Sequence, residues 1–170
     1  FSGSAPGRRQ NVVTAANLIN GLLIPPRKIW SYNKGIGEIN ANKNFVPAGA
    51  TENGILGTAV GGGVCQVSTT VFRAALFAGM PIQEWWPHAF REIYYEQGGW
   101  SPGYDASIQQ PDDNWLGGTD FQFVNATDSW MLIRSSISSD SVLTVSLYGA
   151  PTGLTVKFDN PVITDETPVT

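Results

Sequence analysis

Three consecutive glycines, Gly61 to Gly63, stand directly before an apolar stretch with helical spacing, and they divide the chain into two kinds of pattern. Behind them Val64, Val67, Val71, Ala75 and Ala78 share one face, so a helix is predicted from about Cys65 to Ala78, stopped by Gly79 and Pro81. Short β-rich runs follow: Ile82–Trp86, Phe90–Tyr95, Asp105–Gln109, Phe121–Asn125, Trp130–Ile137 and Val142–Tyr148. Ahead of the glycines, Val12, Val13, Ala16 and Ile19 recur at helical intervals, predicting a helix over Arg8–Asn20 that ends at Gly21. Pro25 and Pro26 break the pattern, Lys28–Asn33 alternates like a strand, and residues 34–60 look mostly like loop. The fold class expected is α+β, with a cysteine-bearing helix packed on an antiparallel sheet.

A chain of 170 residues with 42% hydrophobic content can bury one core. It is expected to form one domain over residues 1–150, with 151–170 as edge strand and linker. Leu154–Phe158 supplies the strand and Asp165–Thr170 the linker. With a net charge of −4 there is no electrostatic reason to bind nucleic acid or anionic lipid. No apolar run reaches the roughly 18 residues a membrane span needs, so no membrane insertion by these residues is expected. The start Phe1-Ser2-Gly3-Ser4 lacks a signal-peptide pattern, and the chain reads as an excised soluble fragment, expected to be monomeric. One cysteine excludes an internal disulfide, and one cysteine with one histidine cannot build a zinc cage. The glycine run lacks the lysine of a phosphate loop. Asp112, Asp113 and Asp120 lack the spacing of a calcium loop. Neither metal nor cofactor is expected.

What remains is sulfur chemistry. A helix N-terminus favours the thiolate of Cys65 through unpaired N–H groups and the helix dipole. Downstream lie the only histidine, His88, and then Asp105, which adjacent antiparallel strands could bring together. In such a triad Cys65 is the nucleophile, His88 its base and acid, and Asp105 the group that orients the imidazole. The backbone N–H groups of Cys65 and Gln66, with the Asn33 side chain, are candidates to bind an oxyanion. The glycine run ending at Gly63 suggests close approach of backbone to substrate. Trp86, with Trp85, Trp100 and Trp115, flanks the site and could hold sugar rings or the apolar part of a peptide. A non-catalytic module that binds such ligands on its aromatic faces is the competing expectation.

The order of helix-opening cysteine, histidine and aspartate resembles the transglutaminase-like branch of papain-type cysteine enzymes. A closer resemblance covers almost the whole chain. Arg8-x-x-Asn11, Asn20-Gly21, Trp30-Ser31-Tyr32-Asn33, Gly61 to Thr70, Pro87-His88 and Gly103-Tyr104-Asp105-Ala106 are similar to the VanW family. That family takes its name from an accessory gene of vancomycin-resistance clusters. Two positions depart from its usual pattern, Ala89 after His88 and Pro25-Pro26 ahead of the Trp30 segment, and neither touches the triad. The resemblance implies a bacterial protein, extracellular or cell-wall-associated, forming part of a larger exported or membrane-anchored chain. Its implied partner is peptidoglycan or a cell-wall peptide.

Overall fold

The computed structural model describes residues 1–52, 55–111, 117–159, 162 and 164. Helix α1 (Pro6–Ile19) opens on a proline, whose missing N–H is no loss in a first turn. It buries Asn11, Val12, Ala15, Ala16 and Ile19, the stripe read from the sequence. Two short strands follow, β1 (Leu23–Ile24) and β2 (Ile29–Ser31). The strand expected to reach Asn33 stops at Ser31, because Ser31 Oγ accepts the Lys34 N–H at 3.1 Å and caps a short helix, α2 (Tyr32–Ile36).

The region expected to be mostly loop instead holds an antiparallel hairpin, β3 (Pro47–Glu52) against β4 (Ile55–Val60). Pro47-Ala48-Gly49-Ala50 has none of the alternating large apolar residues that announce a strand. Helix α3 (Val64–Phe77) then buries Val64, Val67, Val71, Phe72 and Ala75. The remaining strands are β5 (Ile82–Glu84), β6 (Gln122–Val124), β7 (Met131–Ile137) and β8 (Leu143–Tyr148). They form two antiparallel three-stranded sheets, ordered β1-β7-β8 and β2-β6-β5. Helix α1 packs on β7 and α3, and α3 packs on β8. The core between them includes Val12, Ile19, Tyr32, Val67, Val71, Phe121, Phe123 and Ile133. The protein is thus mixed α and β, with antiparallel sheets.

Three expected strands are absent. Residues 90–95 lead into a 3-10 turn (Ile93–Glu96), held by paired bonds between Arg91 and Glu96. Residues 105–109 pair with no strand apart from a single bridge, Gln109 to Thr119. Leu154–Phe158 likewise joins no sheet: Leu154 and Val156 lie against Gly79, and Phe158 meets Phe77 edge-on at 5.3 Å. Of the linker expected over Asp165–Thr170, all lies outside the described residues.

The glycine run faces the protein's own chain. A Cβ on Gly62 would sit 2.4 Å from the Ala48 carbonyl oxygen, and one on Gly63 would sit 2.7 Å from Arg8 Cγ. Gly63, with φ 108°, is the N-cap of α3. The buried Asn11 carboxamide locks this junction, donating to the carbonyls of Val46 and Gly62 and accepting the Val46 N–H. Because backbone cannot yield as a flexible side chain can, Gly62→Ala is expected to lose about 1–3 kcal/mol of stability. Gly57→Ala, with open space at its Cβ, should stay within about 0.5 kcal/mol of wild type in denaturant unfolding.

Candidate active site

Cys65 is the second residue of α3 and half-buried, neither enclosed nor fully exposed. Thr69 and Arg73 lie one and two turns further along the same face. All three reach across to an extended segment that runs antiparallel to the helix. Ile108 N–H donates to the Cys65 sulfur at 3.5 Å, and its carbonyl lies 3.6 Å from that atom. Thr69 Oγ1 accepts the Ala106 N–H at 2.9 Å and contacts the Ala106 carbonyl. Arg73 donates to the carbonyls of Tyr104 and Tyr95. The periods match: four helical residues rise about 6 Å and two extended residues about 6.6 Å. Side chains of a helix therefore replace the strand partner that residues 105–109 were expected to have.

This stitching carries Asp105 to His88. Asp105 Oδ2 accepts both the His88 backbone N–H at 2.8 Å and the ring Nδ1–H at 2.5 Å. The two residues meet through loops rather than across paired strands, as had been expected. Trp85 Nε1 donates to the Asp105 carbonyl, and Ser107 N–H to the Trp86 carbonyl, so the two segments are bound side by side. Tyr95 stacks on the imidazole with ring centroids 5.0 Å apart.

Electrostatics follow from the geometry. Burial disfavours a charged imidazole, but hydrogen bonds with Asp105 and with the Cys65 sulfur, reinforced by charge, raise the His88 pKa to about 9. For Asp105, burial pushes the other way from the His88 hydrogen bonds, and the net result lies below the ordinary carboxylate value. His88 is therefore a cation at neutral pH, with Asp105 on Nδ1 and the sulfur as its other partner.

The remaining predicted residues take other positions. Gln66 N–H already donates to the Gly63 carbonyl at 3.0 Å, while the Cys65 N–H has no acceptor among the described residues. Asn33 is buried, its amide donating to the carbonyls of Thr119 and Gln109. Gly63 accommodates Arg8 and Val12, not a substrate face. Trp86 is 51% exposed and donates to Glu84. Asp120 caps the start of α2, accepting from Ser31 Oγ and Asn33 N–H. Asp112, Asp113 and Trp115 lie outside the described residues, and no cluster of three potential metal ligands occurs among those described. The sequence reading missed Tyr95, Arg73 and Arg8. Spacing at i, i+4 and i+8 from Cys65 was the available signal for Thr69 and Arg73.

Residues 7–148 match the family described as VanW like protein, and the chain belongs to the VanW family. It is 33% identical over 88% of its length to an uncharacterized protein, YoaR, of Bacillus subtilis. It is 26% identical over 78% of its length to the vancomycin B-type resistance protein VanW of Enterococcus faecalis. In each case the match covers 46% of the relative, so the chain spans about half the length of the curated relatives it matches. No solved structure matches the chain.

Two predictions follow from these bonds. Thr69→Val keeps the shape but leaves the buried Ala106 N–H unpaired, an expected loss of about 1–3 kcal/mol in denaturant unfolding. For pH, a raised histidine pKa stabilises fully below the unfolded value of about 6.5, and that contribution is lost as pH climbs towards 9. A lowered Asp105 pKa stabilises above 3.8 and is lost as pH falls through the folded value. Melting temperature should therefore decline on both sides of a plateau between about pH 4 and 6.5. Asp105→Asn should remove the acid limb and shrink the alkaline one; a wild-type curve flat from pH 6.5 to 9 would contradict a cationic His88.

Proposed function

We propose that this domain is a cysteine-dependent acyl-transfer enzyme of transglutaminase-like architecture, acting on amide bonds of cell-wall peptides. The observation that carries the reading is His88 held by Asp105 through Nδ1 while the sulfur of Cys65 serves as its other partner. That is the arrangement in which an imidazole takes a thiol proton and keeps it nearby. The thiolate attacks the amide carbonyl carbon, forming a C–S bond. The Cys65 N–H, at the start of α3, donates to the oxygen as it gains charge. His88 then returns the proton to the leaving nitrogen as the C–N bond breaks, leaving a thioester and a free amine. Water or a second amine attacks the thioester, His88 accepts its proton, and the thiolate is released. Hydrolysis and transpeptidation share every group up to that last attack.

The cell-wall assignment is supported by membership of the VanW family and by the name of the enterococcal relative, a vancomycin resistance protein. It puts the domain outside the bacterial cell, within a longer exported or anchored protein. A second reading is favoured by the exposed side chains of Trp85, Trp86, Phe90 and Tyr94, all within six residues of His88 along the chain. Such a rim could hold wall polymer without chemistry.

Incubation with peptidoglycan stem peptides, followed by mass spectrometry, is expected to show a mass increase on Cys65. His88→Ala should slow its formation by about 10²–10⁴-fold. Binding that is lost in Trp86→Ala, retained in Cys65→Ala and accompanied by no adduct would establish the wall-binding module instead.

A further inference from the structure

Arg8, on α1, reaches the start of α3. Its aliphatic stem packs on Gly63, the N-cap of the helix that carries Cys65. Its guanidinium donates to the Tyr94 hydroxyl at 3.3 Å in an exposed contact and lies 5.3 Å from the centre of that ring. It forms no ion pair among the described residues, although the protein carries a net charge of −4. Beside it, Tyr95 is 7% exposed, and its hydroxyl is buried without a hydrogen-bond partner. The Tyr94 hydroxyl influences it but does not reach bonding geometry. Tyr95 links Arg8 to the site: its ring lies 4.3 Å from that of Tyr94, which Arg8 holds, and 5.0 Å from the imidazole of His88.

An unpaired guanidinium bonded to a neutral phenol has a stronger partner to gain, because a carboxylate accepts two charge-assisted bonds from the guanidinium fork. A buried hydroxyl with no acceptor is costly until one arrives. We propose that Arg8, backed by the buried hydroxyl of Tyr95, is the binding position for a substrate carboxylate, so that the acyl donor is a peptide with its free carboxylate close to the scissile amide. The carboxylate takes the guanidinium from Tyr94, whose ring, 4.3 Å from that of Tyr95, must turn aside for the Tyr95 hydroxyl to donate. This rests on the acyl-transfer reading for the identity of the substrate, while the anion site itself stands on Arg8 and Tyr95.

The test compares alkylation of Cys65 by iodoacetate, an anion, and by iodoacetamide, its neutral counterpart, in the intact protein and in an unstructured cysteine peptide. Relative to the peptide, the protein is expected to favour iodoacetate by about tenfold, and 0.5 M salt should diminish that preference. Arg8→Met, which keeps the stem on Gly63 but removes the charge, is expected to cut it severalfold, down to the part that the His88 cation supplies, and Arg8→Lys to retain more. Tyr95→Phe should melt no earlier than wild type yet show a reduced preference; earlier melting would make that hydroxyl structural and remove it from the site. A preference unchanged in Arg8→Met, or absent from the wild type, overturns the proposal even if stem peptides form an adduct on Cys65. A preference cut severalfold with Arg8, in a protein that forms no adduct, sinks the acyl-transfer reading and leaves the anion site standing. If folded Cys65 reacts with neither reagent, both fall.

Discussion

The registration of one helical face against one extended segment governs everything around the sulfur. Cys65, Thr69 and Arg73 descend α3 at intervals of one turn, and the backbone groups of Ile108, Ala106 and Tyr104 climb past them at intervals of two residues. Neither side could satisfy its polar groups alone: the segment has no neighbouring strand, and buried backbone without partners is rarely tolerated. Helix side chains fill that role, and in doing so they fix where Asp105 points. The imidazole follows, since Asp105 grips both its ring and its backbone N–H.

A charged imidazole is retained in a largely buried position because it has a partner at each end. Removing a cation from water is expensive, and the carboxylate on one side with the sulfur on the other offset that cost together. Tyr95 closes a face of the ring and excludes water from it. The aromatic covering also keeps the local dielectric low, which strengthens each of these attractions.

Long apolar periodicity was legible. Val12, Ala16 and Ile19 announced α1, and Val64, Val67, Val71 and Ala75 announced α3, because a helix buried on one side must repeat its apolar residues every turn. The sequence also marked Cys65 and His88, each the only residue of its type, and Asp105 by its place downstream of them. What it hid was anything satisfied by distant partners. In the β3–β4 pair, β3 begins Pro-Ala-Gly-Ala, small residues whose pairing is main-chain, so no side-chain alternation betrays it. Residues 105–109 alternate like a strand, but Ala106 and Ile108 bond to side chains of a helix while Ser107 bonds to Trp86 and Gln109 to Thr119, a division of partners that no local pattern encodes. The three glycines were read as room for a substrate. They make room instead for Arg8 of α1, fifty-five positions from Gly63, and for the β3 backbone at Ala48, fourteen positions from Gly62.

That glycine junction ties the surroundings of the sulfur to the completion of the fold. The turn that presents the sulfur is wedged between the first helix and the hairpin, and the groups that hold the imidazole come from residues 85 to 108. While either flank is undocked, no imidazole is fixed beside Cys65. The pairing of sulfur with ring is in this sense a property of the whole tertiary structure, drawn from parts of the chain that lie far apart along it.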